Sequence, residues 1–310
     1  LRMTAATVSS PSGMGRADWA SALVVVLIWG LNFVVMKWGL ATLSPLLLCA
    51  LRFLAASLPL LLFVRPPPNV RWSLLAAYGL AQGMGQFGLL FTGLKLGMPA
   101  GMASVVLQTQ AFFTMLLAAL LMGERPQRWQ WLGLGVAACG LGMIGAAKGD
   151  GAASMTLLGF VFTLGAAGMW AVSNLLTRVA ARQGPYEPVS FIVWTSVFPV
   201  LPLSLLALWL EGPHAVLQQL QHSGWREVGA VAYLAVLSTL LGYGLWTRLL
   251  QRHAASTVAP LSLLVPVIGL VSAMVLLGER PSTVQWLGTL AVLLGMVINQ
   301  LGGVWARRRR

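Results

Sequence analysis

Apolar residues run in long blocks along this chain, and short stretches rich in proline, glycine and arginine separate the blocks. A helix needs about 20 apolar residues to cross a bilayer. Ten blocks reach that length, near residues 19–39, 45–64, 72–94, 100–122, 130–147, 155–177, 189–210, 226–249, 255–277 and 284–304. The alternating pattern of a membrane β-barrel is not seen in them. The pattern predicts an all-α integral membrane protein with ten transmembrane helices.

The composition supports lipid as the solvent for most of the chain. Among 310 residues, 58% are apolar and 9% are charged, whereas a soluble protein carries about 25% charged residues. This excludes a soluble enzyme, a secreted disulfide scaffold and a disordered protein. Cys49 and Cys139 lie far apart in apolar blocks, so we expect two buried packing residues. The net charge of +13 is spread in ones and twos between the blocks, which argues against a nucleic-acid partner.

The positions of the basic residues predict the orientation. With the N-terminus inside, fourteen Lys and Arg side chains fall on the inner side and five on the outer side, and Arg52 lies within the second block. Inner loops of membrane proteins carry the excess of Lys and Arg. Both termini are therefore predicted to be cytoplasmic.

The two halves of the chain repeat each other. The turn Gly123–Pro126 recurs as Gly278–Pro281, and Gln130–Gly133 recurs as Gln285–Gly288, both at an offset of 155 residues. Because each half holds five helices, an odd number, the halves must insert in opposite orientations. The predicted organisation is an N-terminal tail, a first repeat, a linker, a second repeat and a basic C-terminal tail, at 1–18, 19–147, 148–154, 155–304 and 305–310. Inverted repeats are typical of secondary transporters with a midplane substrate site, although duplication can also build a membrane scaffold.

Polar side chains inside the predicted helices are candidates for that site, because unpaired polar groups are costly in lipid. Tyr78, Gln82 and Gln86 recur every four residues and are expected to share one helix face. They could line a cavity that binds a zwitterion, or they could join helices through amide contacts. In the fourth block Gln108 and Gln110 point about 200° apart, and Gln108 is the better candidate.

Aromatic residues accompany several of these polar groups. The pairs share helix faces and could line an apolar cavity with polar anchors: Trp29 with Asn32, Trp170 with Asn174, and Tyr243 with Trp246. Tyr78 and Tyr233 are repeat mates on opposite sides of the midplane. They are expected either to gate the inner and outer mouths of the cavity or to be framework residues.

Charged groups within the membrane are few. Arg52 could bind a substrate carboxylate or could serve a structural role. All seven acids lie at block ends or in loops, and Glu124 and Glu279 are interpreted as helix-end charges. The sequence therefore predicts no catalytic residue, no metal site and no cofactor, and it favours transport without a proton gradient.

Several motifs are similar to those of the EamA branch of the drug/metabolite transporter superfamily. They are Trp29–Lys37, Leu51–Phe53, Gly97–Gly101, Gln108–Thr114, Ala259–Leu270 and the two Gly-Glu-Arg turns. The resemblance covers about 19–304 and is nearest to bacterial amino-acid exporters, such as those for O-acetylserine and cysteine or for aromatic amino acids.

That resemblance implies ten helices in the inner membrane, cytoplasmic termini and outward movement of amino acids or related metabolites by alternating access. The expected partners are a small zwitterionic substrate and membrane lipid. Export of other metabolites or drugs, and a non-transporting scaffold, are the alternatives. A monomer and a homodimer are both compatible with the sequence.

Overall fold

The computed structural model describes residues 14–147, 154–253 and 255–308. Within these ranges the regular structure is helical, which confirms the all-α membrane class. Nine helices of the described chain are long and apolar enough to cross a membrane, and one apolar helix is shorter. We number them α1 (Arg16–Gly39), α2 (Pro45–Ser57), α3 (Trp72–Lys95), α4 (Ala100–Met122), α5 (Arg128–Ala146), α6 (Leu157–Gln183), α7 (Pro188–Glu211), α8 (Trp225–Arg252), α9 (Pro260–Leu277) and α10 (Thr283–Arg308).

Two predicted boundaries differ from the structure. The second block was expected to be helical over 45–64, but α2 ends at Ser57 and continues as turns, because Pro59 has no N–H to donate. Helix α10 continues to Arg308, into the predicted tail. Apart from Ser154, the predicted linker 148–154 lies outside the described residues. We call the membrane face where α1 begins and α10 ends the terminal face, and the other the opposite face.

The connection between α7 and α8 is more ordered than the sequence suggests. The seventh and eighth apolar blocks leave residues 211–225 between them as a loop, but Pro213–His222 forms a helix. Its Gln219 accepts a hydrogen bond from the backbone N–H of Ser44 at 2.7 Å and donates to Glu211 at 2.7 Å. The short helix therefore fixes the start of α2 at the opposite face.

Irregular helical segments occur at matching positions in the two halves. Helix α3 contains a π-helical segment at Leu80–Gly88, and α8 contains one at Tyr233–Gly242. Helix α4 is interrupted between Leu107 and Gln110. A 3₁₀ segment at Ala259–Leu263 leads into α9, and its last residue is the counterpart of Gln108 at the offset of 155. Such segments redirect side chains and free backbone carbonyls, and all four lie next to the cavity described below.

Small residues set the closest helix contacts. A Cβ atom added at Gly133 of α5 would lie 2.5 Å from the carbonyl oxygen of Gly295 on α10, and one at Gly140 would lie 2.6 Å from that of Gly288. Glycine at these positions lets the two backbones touch, as is common between membrane helices. On α5 the structure also corrects one expectation, because Cys139 is exposed whereas Cys49 is buried.

Candidate functional site

A central cavity of about 250 Å³ lies between the two halves. Its wall combines aromatic rings, amides, hydroxyls and one cation, contributed by α1, α2, α3, α4, α6, α8 and α9. Eight of the eleven predicted substrate-binding residues border it: Trp29, Asn32, Gln86, Gln108, Trp170, Asn174, Tyr243 and Trp246. Arg52 borders it as well. A cavity that is largely apolar with a few polar anchors is the usual form of a small-molecule site.

Aromatic rings from α1 and α8 form one side of the cavity. The Trp29 ring centroid lies 5.2 Å from that of Tyr243 and 5.5 Å from that of Trp246, and both ring pairs are tilted. The Trp29 indole N–H donates to the carbonyl of Ser238 at 3.1 Å. Because Ser238 belongs to the π-helical segment of α8, this irregular backbone anchors the aromatic cluster.

Both glutamines of α4 border the cavity, although the sequence favoured Gln108 alone. The helix is interrupted between them, so the 200° separation of a regular helix does not apply. Gln108 Nε2 donates to the Ser262 carbonyl at 3.1 Å, and Gln110 Oε1 accepts from Asn174 Nδ2 at 2.7 Å. The internal repeat could have predicted the break in α4, because the break matches the proline-containing start of α9.

The expected face of Tyr78, Gln82 and Gln86 is divided between two spaces. Gln86 borders the central cavity, whereas Tyr78 and Gln82 border a separate cleft of about 20 Å³. The reason is the π-helical segment, in which residues four apart no longer lie one above the other. Gln82 donates to the Tyr243 hydroxyl at 3.1 Å. It therefore contacts a residue of the central cavity wall from the side of the cleft.

The remaining predicted gate residue, Tyr233, lies outside the central cavity. Its hydroxyl donates to the carbonyl of Ile28 at 2.7 Å, which joins α8 to α1. Its repeat mate Tyr78 packs edge-on against Phe191, with ring centroids 4.8 Å apart. Both placements resemble framework contacts, and the Tyr233 contact also crosses between the two halves.

The Arg52 side chain is fully buried between the central cavity and the small cleft. Its Nε and Nη2 donate to the Thr239 hydroxyl at 3.2 and 3.1 Å, and Nη2 lies 3.5 Å from the Ser238 hydroxyl. The guanidinium carbon lies 3.8 Å from the centre of the Phe87 ring. Arg52 therefore binds hydroxyls and an aromatic face rather than helix-end carbonyls.

A second space of about 300 Å³ lies on the terminal side of the central cavity, near the end of α4. The two spaces share Gln110 and Asn174, and the outer one is bordered by the turn around Glu124 and by Arg178. Glu124 and Arg178 form an ion pair at 3.0 Å with both side chains about half exposed. The hydrogen-bonded Gln110 and Asn174 pair thus lies between the central cavity and this outer space.

Between the cavity and the opposite face, α1 is in contact with α3 and α9, and the residues after α1 contact α8. A Cβ atom added at Gly30 would overlap the Ile268 side chain, so α1 and α9 are in contact there. Thr42 donates to Glu227 at 2.8 Å, and the Lys37 ammonium donates to the Leu94 carbonyl at 2.8 Å. These contacts separate the cavity from the opposite face.

Glu279 connects the turn after α9 to the first turn of α4. Its two carboxylate oxygens accept hydrogen bonds from the backbone N–H groups of Ala100 at 2.6 Å and Gly101 at 2.9 Å. The side chain is 4% exposed. Burial raises the pKa of this carboxyl above its usual range, although the two N–H groups and the Lys37 ammonium act in the other direction.

The two repeated turns thus have the same backbone and different side-chain environments. Gly123 and Gly278 both adopt the left-handed conformation, with φ of 69° and 67°. Glu124 is exposed, whereas Glu279 is buried against another helix. Sequence reasoning treated both as ordinary helix-end charges and missed the helix-capping contact of Glu279, because the two motifs are identical in sequence.

A helical membrane protein with a largely apolar central cavity, a few polar anchors in its wall and a second space on the terminal side has the form of a membrane transporter. The EamA-like transporter family matches this chain twice, over residues 19–146 and 157–300. The chain belongs to that family.

Similar proteins include two named "Probable amino-acid metabolite efflux pump". The one from Salmonella typhimurium is 45% identical over 93% of this chain and 96% of its own length, and the one from Escherichia coli is 40% identical over 95% and 98%. A "Probable terminal-alkyne amino-acid exporter" of Streptantibioticus cattleyicolor is 28% identical over 93% of this chain and 94% of its own length.

A solved structure described as "Crystal structure of protein" has the same fold. It matches with a TM-score of 0.58 and 20% identity, and the match covers 96% of this chain and all of that one.

Proposed function

We propose that this protein exports amino acids or closely related small metabolites across the bacterial inner membrane by alternating access. The terminal face is assigned to the cytoplasm, in line with the excess of Lys and Arg on that side. The described conformation then accepts substrate from the cytoplasm. The residues that border the central cavity are assigned to substrate binding.

One observation carries this proposal: a cavity with amide anchors and aromatic walls lies between the two halves and adjoins a second space on the terminal side. An amino acid has a polar end that needs hydrogen-bond partners and a side chain that can pack on rings. Asn32 and Gln86 supply amides, and Trp29 and Trp246 supply rings. The names of the two efflux-pump relatives agree with this substrate class.

The wall of the central cavity in the described structure contains no Asp, Glu or His. A proton-coupled transporter commonly uses such a group near the midplane. We therefore expect flux down the substrate gradient or by exchange, without a proton gradient. We also assign no enzymatic activity to the cavity.

The test is uptake of labelled amino acids into liposomes that contain the pure protein. Saturable flux of a neutral amino acid, absent from protein-free liposomes, is expected. Flux of other metabolites alone would move the assignment to a different cargo, and no flux for any compound would favour a scaffold. Imposing a pH difference at a fixed substrate gradient tests coupling, because accumulation of substrate against its own gradient would contradict proton independence.

A further inference from the structure

Arg52 is the one charged residue among the described residues that border the central cavity. Its side chain is fully buried. Within the described structure its Nη1 has no hydrogen-bond partner. The groups that contact the remaining nitrogens are the hydroxyls of Thr239 and Ser238.

These neutral contacts do not neutralise the charge. A buried cation is costly unless it is paired with an anion as well as hydrogen-bonded. The planar guanidinium fork binds a carboxylate through two parallel hydrogen bonds. Among the described residues, Arg52 therefore has no anionic partner, and the adjacent cavity is where such a partner can bind.

We propose that Arg52 binds the α-carboxylate of the substrate, and that the cavity selects zwitterions with a neutral side chain over substrates with a cationic one. The inference rests on the proposed export of amino acids. Arg52, Phe87 and Tyr243 all border both the central cavity and the small cleft. Nη1 has almost no exposed surface in this conformation, so the carboxylate reaches it when one of the two rings turns aside.

The substrate ammonium is held by amide oxygens. Asn32 Oδ1 and Gln86 Oε1 are buried and accept no hydrogen bond within the described structure, and both residues border the cavity. Neutral oxygens can hold one ammonium group of a zwitterion whose carboxylate pairs with Arg52. A second ammonium on the substrate side chain would lack an anionic partner in this wall and would be repelled by Arg52.

The experiment compares three compounds of similar shape in the same liposomes: L-norleucine, L-norleucinamide and L-lysine. Norleucinamide lacks the carboxylate, and lysine adds a cationic group to the norleucine side chain. Hydrogen bonds to charged groups contribute about 1.5–3 kcal/mol, so the wild type should prefer norleucine over norleucinamide by about 10- to 150-fold. It should also prefer norleucine over lysine.

The variant Arg52→Gln should bring the norleucine to norleucinamide ratio close to one, and Arg52→Lys should restore part of it. A ratio is used because it does not depend on how much of the variant folds. If Arg52→Gln lowers both fluxes with the ratio unchanged, Arg52 is structural and the inference fails. It also fails if the wild type carries norleucine, norleucinamide and lysine equally.

These outcomes are distinct from failure of the proposed function itself. If the proposed function is wrong, the wild type carries no amino acid in the broader screen, and no norleucine ratio can be measured. That result would contradict both amino-acid export and the role of Arg52. Saturable norleucine flux with no carboxylate preference would leave amino-acid export intact and overturn only the role of Arg52.

Discussion

Replacing Glu279 with alanine should weaken the closed end of the cavity at the opposite face. The substitution removes both acceptors from the N–H groups of Ala100 and Gly101, which are buried in the first turn of α4. Loss of a capping side chain costs about 0.5–2 kcal/mol. Removing a buried carboxylate stabilises the closed end, but the two buried N–H donors lose their acceptors at the same time, which destabilises it. We expect the closed end to lose about 1–2 kcal/mol, which is about a 5- to 30-fold change in the ratio of states.

The assay measures how fast an impermeant maleimide reaches a cavity cysteine from the opposite face. A suitable probe is Val265→Cys, because Val265 borders the central cavity, in a background carrying Cys49→Ala and Cys139→Ala. Glu279→Ala should raise the labelling rate in proportion to the population open to that face. Glu124→Ala is the matched comparison. Its exposed ion pair lies at the other end and contributes at most about 1 kcal/mol, so this variant should not raise labelling from the opposite face.

An unchanged labelling rate in folded Glu279→Ala protein would refute this reasoning, and so would an equal rise in Glu124→Ala. The same assay tests the sign of the pH effect. In the closed end the pKa of Glu279 is raised by burial, so the closed end binds protons more readily than a solvated carboxyl does. Lowering the pH from neutral toward about 4.5 should therefore favour closure and slow labelling, and Glu279→Ala should remove that dependence.

Two further substitutions probe the same closed end. Gly30→Val should force α1 away from Ile268 at a cost of about 1–3 kcal/mol and should raise labelling from the opposite face. Gly168→Ala, which has open space around it, should not raise labelling. Equal effects of the two variants would count against the α1–α9 contact as the closure. Tyr233→Phe removes the hydrogen bond to Ile28, worth about 0.5–1.5 kcal/mol, so a rise of about 2- to 10-fold is expected, and no rise would leave Tyr233 as a framework residue.

The helical class and the locations of most membrane helices follow from the sequence because burial in lipid requires long apolar blocks. The end of α2 was not predicted, since hydropathy does not register the missing N–H of Pro59. Likewise, Trp29 and Trp170 could be placed on the cavity wall because their helices are regular. In a regular helix the periodicity of the sequence predicts where a side chain points, and the length of an apolar block predicts that a helix is present.

The sequence reasoning was weakest where a helix leaves regular geometry. Tyr78 and Gln82 were expected beside Gln86, but the π-helical segment of α3 turns them into a separate cleft. The break in α4 brings Gln110 to the cavity, although a regular helix would direct it away. Hydrogen-bond register within a helix depends on tertiary contacts, so periodicity alone does not reveal these shifts.

The repeated Gly-Glu-Arg-Pro turn predicts a second state in which its two copies exchange roles. In the described state Glu279 caps the first turn of α4, while Glu124 borders the outer space and pairs with Arg178. At the offset of 155, the counterpart of Ala100 is Ala255, where the short helix Ala255–Val258 begins before α9. If the halves are inverted as the sequence predicts, a state closed at the terminal face would exchange these roles, with Glu124 capping that helix and Glu279 released. The two end states would then use equivalent contacts at similar free energy, which is what a carrier needs in order to reverse its opening with little bias.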